Sequence, residues 1–246
     1  MTQKKQLLGV LGGLGPMATA YYLELMVSMT DAATDQEHLP MILMNIPTIP
    51  DRTAFILGKS HDSPIEPMVA LGRQLKEMGC TVLATPCITA HYFHDALQSG
   101  IGLPLIHGIR CVAELLKQAG IRKVGLMATD GTVRSRTFQQ QLGAMGMDTI
   151  LPSQEGQKAV MTLIYDQIKA GLQPDMALFE NLREELRSNG AQVIVLGCTE
   201  LSLLKKEQDL GEGILDALEV LARQSVLACG KSVKPEYRQL FTPFSE

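Results

Sequence analysis

The feature of the sequence that most restricts its fold is the alternation of short, continuous apolar runs with segments of helical periodicity. Runs that are apolar along their whole length are typical of strands buried on both faces of a parallel sheet. The predicted strands cover residues 6–11, 41–45, 81–84, 103–107, 123–128, 148–151, 192–196 and 213–215. The clearest predicted helices cover residues 67–78, 109–118, 132–145 and 177–188. Strands and helices in this alternating order predict an α/β fold with parallel sheets.

The chain also resembles itself in two places. The segment LLGVLGGLGP (7–16) is similar to KVGLMATDGT (123–132), and TVLATPCITA (81–90) is similar to QVIVLGCTEL (192–201). The members of both pairs are separated by nearly equal lengths of chain. Chance likeness between apolar strands is the alternative, but the common offset favours two pseudo-symmetric α/β domains.

We predict that the first domain comprises residues 1–104 together with 213–246, and that the second comprises residues 105–212. The final segment is assigned to the first domain because the helix that starts near Asp216 is too short to form a domain of its own. Each domain is expected to hold a parallel sheet flanked by helices. The active site is then expected in the cleft between the two domains.

The composition argues against several classes of protein. Of the 246 residues, 46% are apolar and 20% are charged, which is an ordinary balance for a globular protein. The net charge of −4 argues against a nucleic-acid partner, and no apolar stretch reaches the roughly 18 residues that a membrane span needs. Lys4 and Lys5 precede only a short apolar run, so we expect no signal peptide. The resulting expectation is a cytoplasmic protein whose five cysteines are free thiols.

The repeat places a cysteine at the end of an apolar strand in each half. Cys87 is followed two residues later by Thr89, and Cys198 is followed directly by Thr199, at the predicted start of a helix. Ligands of open α/β sheets bind at the carboxyl ends of strands, and a helix N-terminus favours the thiolate form of cysteine. Two thiols that face each other would supply a base and an acid on opposite sides of a carbon centre. This chemistry inverts the centre without a cofactor.

Two cationic residues are candidates for binding a substrate carboxylate. Arg52 lies in a proline-stiffened loop after the second predicted strand, and arginine binds carboxylates in a bidentate manner. A surface ion pair between Arg52 and Asp51 is the alternative. Lys169 lies at a predicted helix end and is either a second substrate-binding cation or an ordinary solvated lysine.

Two motifs suggest cofactors that we do not expect. GLGPMA (13–18) fits a dinucleotide-binding turn, but the second strand ends at Asn45 instead of an acidic residue. The glycines are better explained by close approach of the backbone to a small anionic substrate. Cys87, His91 and His94 have a spacing that suggests zinc, but no carboxylate clearly completes the set, so no metal is predicted.

Taken together, these motifs resemble those of the aspartate/glutamate racemase superfamily, and most closely those of cofactor-independent aspartate racemases. The resemblance covers nearly the whole chain and is carried by GVLGGLGPMATA, DQEH, IPDRTAFILGK, PCITAH, LMATDGTV and GCTE. It implies a homodimer and an amino-acid racemase in which Cys87 and Cys198 are the acid/base pair, without pyridoxal phosphate. The substrate-binding residues that it implies are Arg52, Thr53, Ile88, Thr89, Ala90, Lys169 and Thr199.

One position departs from the family pattern. The family's usual Cys-Asn-Thr-Ala-His reads Cys-Ile-Thr-Ala-His here, so Ile88 stands where an amide would bond to the substrate. Aspartate is the substrate first expected, and glutamate or a less polar amino acid is the alternative because such a change alters specificity. Two other functions stay open: a protein that binds a small carboxylate without turning it over, and an isomerase of a small diacid.

Overall fold

The computed structural model describes residues 6–245. Residues 1–5, which include Lys4 and Lys5, and residue 246 belong to the predicted first domain and lie outside the described residues. The strands are β1 (Leu8–Gly12), β2 (Met41–Asn45), β3 (Val82–Ala84), β4 (Lys123–Met127), β5 (Asp148–Ile150), β6 (Val193–Leu196) and β7 (Ile214–Asp216). They form two sheets.

Helices separate most of these strands, as the periodicity predicts. The α-helices are α1 (Pro16–Met29), α2 (Arg52–Ile56), α3 (Ile65–Glu77), α4 (His94–Ile101), α5 (Gly108–Gln118), α6 (Asp130–Ser135), α7 (Thr137–Gly143), α8 (Gln154–Met161), α9 (Met176–Ser188), α10 (Thr199–Glu207) and α11 (Ala217–Ala228). Short 3₁₀ helices cover Asp35–Glu37, Ile88–Phe93 and Pro235–Tyr237, and a π-helical segment covers Thr162–Ile168.

The two sheets have corresponding strand orders. The first sheet has the order β2-β1-β3 and the second has the order β5-β4-β6-β7, and every pairing within them is parallel. The repeated segments of the sequence contain β1 and β4 in one case and β3 and β6 in the other, so they occupy equivalent places in their sheets. The predicted α/β class, with two parallel sheets flanked by helices, is confirmed.

We predicted that residues 213–246 belong to the first domain, but this C-terminal segment also contacts the second sheet. Strand β7 pairs with β6, and the tail returns to the same sheet through hydrogen bonds from Gly213 N to Thr242 O and from Phe244 N to Gln192 O. Pairing at the edge of the second sheet buries Ile214 and Leu215. Helix α11 then packs against α1 and α5, in contact with both halves. We keep the division near residue 105 as a proposal.

The two halves share an apolar core. Its largest cluster includes Val10 of β1, Leu126 of β4 and Leu218 of α11, each at most 1% exposed. This core joins the two sheets, and the loops at the carboxyl ends of strands from both sheets line one pocket. Within residues 6–245, no helix is both long and apolar enough to cross a membrane.

Candidate active site

A small pocket lies where the loops of the two halves meet. It contains about 270 Å³ of empty space, including its mouth. The residues that line it are Leu14, Asp51, Arg52, Thr53, Cys87, Ile88, Thr89, Thr129, Tyr165, Lys169, Cys198, Thr199 and Glu200. Both halves contribute, and most of the residues that the sequence analysis selected are present.

The two cysteines of the repeat occupy equivalent positions in the pocket wall. Cys87 follows β3 and is the N-cap residue of the 3₁₀ helix Ile88–Phe93, while Cys198 follows β6 and is the N-cap residue of α10. Both have extended backbone conformations and both are buried, with exposed fractions of 6% and 4%. Both thiols are free, so the same pocket has two separate sulfur atoms in its wall.

The surroundings of Cys198 favour the thiol over the thiolate. Burial raises the pKa of Cys198 well above its usual value, and the carboxylate of Glu200 raises it further. The Cys198 Sγ donates a hydrogen bond to Glu200 Oε2 at 2.9 Å. The position at a helix N-terminus, from which the sequence analysis expected a thiolate, is therefore outweighed by burial and by a neighbouring negative charge.

Arg52 is held rigidly beside Cys87. Its Nη1 donates to the carbonyl oxygens of Ile49 and Pro50, and its Nη2 donates to that of Leu14, at 3.0–3.2 Å. Burial lowers the pKa of Arg52, but the neighbouring Cys87 and Asp51 outweigh this effect and the net shift is upward. Within residues 6–245, the buried Nε has no hydrogen-bond partner.

The alternative interpretation of Arg52, a surface ion pair with Asp51, does not apply. Asp51 instead caps helix α2 by accepting a hydrogen bond from Ala54 N at 2.7 Å, and it accepts a second from the Tyr165 hydroxyl at 3.4 Å. Arg52 itself is only 7% exposed. The guanidinium is thus available to the pocket and not to a solvated ion pair.

Lys169 reaches the pocket from the other half. It follows the π-helical segment and its Nζ lies 3.0 Å from Glu200 Oε1, in an ion pair whose lysine side chain is 27% exposed. Burial lowers the pKa of Lys169, but Glu200 and Cys198 raise it more, so the net shift is upward. Lys169 is therefore a partly buried cation and not the ordinary solvated lysine of the alternative interpretation.

Threonine hydroxyls join the two halves at the pocket. Thr89 Oγ1 lies 3.1 Å from Thr129 Oγ1 and 3.0 Å from Thr132 Oγ1, and Thr53 Oγ1 donates to Thr129 Oγ1 at 3.3 Å. Thr129 also caps helix α6. Hydroxyls both donate and accept, so this cluster can rearrange its hydrogen bonds to meet a bound oxygen.

Of the other residues predicted to bind substrate, two line the pocket and one does not. Thr199 lines the pocket, and Ile88 does so as well while packing into the largest apolar cluster, at 1% exposure. Ala90 does not line the pocket. It is fully buried in the apolar cluster around Leu11 and Leu83, because the 3₁₀ turn after Cys87 directs its methyl group into the core, so its assignment as a substrate-binding residue is not retained.

Sequence reasoning missed Glu200, Tyr165 and Thr129 as pocket residues. Glu200 lies within the quoted GCTE motif and Thr129 lies in the repeat partner of the glycine turn, so both had a signal in their spacing from repeated strands. Tyr165 had none, since only the fold brings its π-helical segment to Asp51.

The histidines near Cys87 have structural roles. His91 Nδ1 lies 3.1 Å from Cys87 O, and His94 Nε2 lies 2.8 Å from Leu105 O. Burial lowers the pKa of His91 to about 4, which keeps its ring neutral. Among the residues that the structure describes, no group of three or more potential ligands is arranged to hold a metal ion.

An outer cleft adjoins the pocket at the glycine turn. It contains about 1050 Å³ of empty space and is lined by Gly13 and Gly15, among others. Both glycines have positive φ, and a Cβ on Gly13 would lie 2.4 Å from Ile46 N. Glycine is therefore required at position 13 because the turn packs closely against the residue that follows β2.

Comparison with known proteins assigns this arrangement to a family. The Asp/Glu/hydantoin racemase family model matches residues 11–225. The chain belongs to this family. It is 25% identical over 229 residues to the broad specificity amino-acid racemase RacX of Bacillus subtilis, with 89% of this chain and 96% of the relative covered. The predicted racemase family, and with it the predicted enzyme class, is confirmed.

Solved structures of racemases have the same fold. The structure of Picrophilus torridus aspartate racemase superposes with a TM-score of 0.83 and 28% identity, covering 95% of this chain and 98% of that one. A glutamate racemase from Francisella tularensis, solved with D-glutamate, has a TM-score of 0.63 at 15% identity, with coverage of 91% and 81%. At that identity, the second likeness concerns the fold alone.

Proposed function

We propose that this family member racemises an amino acid through the Cys87 and Cys198 thiols, without pyridoxal phosphate. The observation that carries the proposal is that equivalent strand ends of the two halves contribute two free, buried cysteines to one pocket. A single thiol can return a proton only to the face from which it came. A pair in one pocket can remove it from one face and replace it from the other.

The reaction balances with two proton transfers. The thiolate of one cysteine takes the α-proton, its S–H bond forms, and the Cα–H electron pair stays on the α-carbon. The opposite thiol then gives its proton to the other face and becomes a thiolate. Because its surroundings favour the thiol form of Cys198, Cys198 is the proposed acid for one enantiomer and Cys87 is the proposed base. The opposite enantiomer uses them in reverse.

Arg52 is the proposed α-carboxylate site. Its Nη atoms are anchored by carbonyl oxygens, whereas its buried Nε lacks a partner among residues 6–245 and is available for a ligand. Thr53 and Thr89 present hydroxyls beside it. Aspartate is the first substrate to test, because the Picrophilus relative is an aspartate racemase and because Lys169 offers a second cation. Other amino acids follow, since RacX is named for broad specificity.

The experiment is a screen of α-proton exchange in D₂O with both enantiomers of all proteinogenic amino acids. A racemase incorporates deuterium at the α-carbon and inverts it, whereas a carboxylate-binding protein does neither. Exchange of a hydrogen in an amine-free diacid would instead support the isomerase alternative. The homodimer expected from the family resemblance is a separate proposal, which light scattering of the purified protein tests.

A further inference from the structure

Glu200 occupies a position in the pocket that the proposed mechanism leaves without a role. It is the second residue of α10 and only 5% exposed, yet both of its carboxylate oxygens have a partner: Oε2 accepts from Cys198 Sγ at 2.9 Å and Oε1 lies 3.0 Å from Lys169 Nζ. Gly15 makes room for it, because a Cβ there would lie 2.9 Å from Oε1. Three elements thus converge on one buried carboxylate.

Glu200 also lies at the boundary between the outer cleft and the inner pocket. Among residues 6–245, four line both spaces, namely Asp51, Arg52, Lys169 and Glu200. The Lys169–Glu200 ion pair therefore stands between the open cleft and the two thiols. A ligand that enters the inner pocket from the cleft meets the charges of this pair.

The charges of an amino acid match those of the boundary residues. Its α-carboxylate needs a cation, for which Arg52 is placed, and its α-ammonium group is one bond from the carbon that must reach the thiols. That ammonium needs an anion close to a sulfur atom. Asp51 is already occupied by Ala54 N and the Tyr165 hydroxyl, whereas Glu200 is in hydrogen-bond contact with Cys198.

We propose that Glu200 binds the α-ammonium group of the substrate, and that it parts from Lys169, the second cation of the proposed function, when Lys169 pairs with the other carboxylate of that substrate. In the free protein the two residues neutralise each other. In the complex each has a ligand charge instead, so no buried charge is left unpaired. The inference rests on the proposed function in that the ligand is an amino acid with a second carboxylate, and what it adds is the site for the ammonium group.

The exchange predicts how analogues bind. Succinate has both carboxylates of aspartate but no ammonium group. It would therefore separate Lys169 from Glu200 and leave the Glu200 carboxylate without a cation, close to the negative charges of the ligand. Removing the negative charge by Glu200→Gln frees Lys169 and removes the repulsion. Succinate should therefore bind more tightly to the variant, which is a gain that misfolding cannot produce.

Titration calorimetry with racemic aspartate and with succinate tests the proposal. Racemic aspartate is used because turnover then produces no net reaction. The wild type should bind aspartate at least about tenfold more tightly than succinate, the scale of one hydrogen bond to a charged group. Glu200→Gln should bind succinate about tenfold more tightly than the wild type does and should bind aspartate less tightly, so its tenfold preference for aspartate should disappear or reverse.

Glu219→Gln is the matched control. Glu219 is also buried and paired with a lysine, Lys205, at 2.5 Å, but it does not line either space. It should keep the wild-type preference. A folded Glu200→Gln protein that also keeps this preference would overturn the inference, as would a wild type that binds succinate as tightly as aspartate or binds neither acid.

The outcomes separate the inference from the proposed function. Deuterium exchange without any effect of Glu200→Gln on the preference would leave the racemase proposal intact and remove the role of Glu200. A changed preference in a protein that shows no α-proton exchange would support the ammonium site and refute the proposed two-thiol racemisation.

Discussion

Replacing Arg52 by lysine should separate the charge of this residue from its geometry. The guanidinium donates three hydrogen bonds, to the carbonyls of Ile49, Pro50 and Leu14, and is 7% exposed. A lysine keeps the positive charge but has one nitrogen, so it cannot satisfy three carbonyls in the plane of the fork and also present a donor to the substrate. Both the fold and the reaction should be affected.

The two effects can be estimated separately. Carbonyls left without a donor should lower the free energy of unfolding by about 1–3 kcal/mol. Loss of a buried, hydrogen-bonded charge contact should cost about 2–5 kcal/mol in kcat/KM, which is roughly a 30-fold to 4000-fold decrease. Chemical denaturation measures the first quantity, and initial rates of racemisation measure the second.

Arg183→Lys is the matched control for this variant. Arg183 donates to Glu212 O at 2.8 Å and pairs with Glu180, but it does not line the pocket. It should change kcat/KM by less than about twofold, because surface charge pairs contribute little. If Arg52→Lys keeps wild-type kcat/KM while folded, then Arg52 does not contact the substrate in the transition state and its assignment is wrong.

Three further predictions follow from residues around the pocket. Ile88→Asn should raise kcat/KM for aspartate by roughly tenfold to a hundredfold if the amide reaches the ligand, and no gain in a folded variant would mean that this residue does not set specificity. Burial lowers the pKa of His91 from 6.5 to about 4, so the unfolded state binds more protons between these values. The contribution of His91 to the free energy of unfolding should be full above pH 6.5 and fall by up to about 3 kcal/mol as the pH drops to about 4. Burial also lowers the pKa of His107, to about 3, and gives a loss of the same sign, so chemical denaturation of His91→Asn should show a smaller loss than the wild type, whereas the exposed control His61→Asn should show the wild-type loss. Gly15→Ala should lower kcat/KM, because Gly15 has φ +126° and the added Cβ would lie 2.9 Å from Glu200 Oε1. Gly58 has φ +70° and open space around it, so Gly58→Ala should lower only the free energy of unfolding, by about 1–3 kcal/mol. Equal kcat/KM in the two variants would contradict this.

Continuous apolar runs located the strands well because both faces of a parallel sheet are buried. The strand predicted at 41–45 has the bounds of β2, and those predicted near β4, β5 and β6 differ by one residue at an end. The run at 103–107 was wrong, since it forms only an isolated bridge between Leu105 and Leu83. Pro104 has no N–H to extend a ladder, and α5 begins at Gly108.

Helix 132–145 was predicted as continuous, and the chain breaks it at Arg136. This residue has φ +57°, in the left-handed region, where it ends α6 and starts α7. The apolar period of the segment carries across the break, so periodicity alone does not reveal it. Left-handed backbone at a non-glycine residue is set by tertiary packing rather than by local preference.

The candidate site was predictable where it repeats and not where it depends on long-range contacts. Cys87 and Cys198 could be paired because the same strand-end context occurs twice. Glu200 had a weaker signal: it lies in the GCTE motif, but an acidic residue in the first turn of a helix is ordinarily explained by the helix dipole. Its contact with Lys169 arises only when the π-helical segment folds over α10.

The central claim, that two thiols act on opposite faces of one carbon, is tested most directly by α-proton exchange in D₂O with Cys87→Ser and Cys198→Ser. Each enantiomer of the amino acid that exchanges fastest with the wild type is incubated separately with each variant. Both variants should lose racemisation, and each should exchange the α-proton of one enantiomer only, with the enantiomer reversed between them. Racemisation that persists in either folded variant, or exchange of both enantiomers by the same variant, would contradict the two-thiol account.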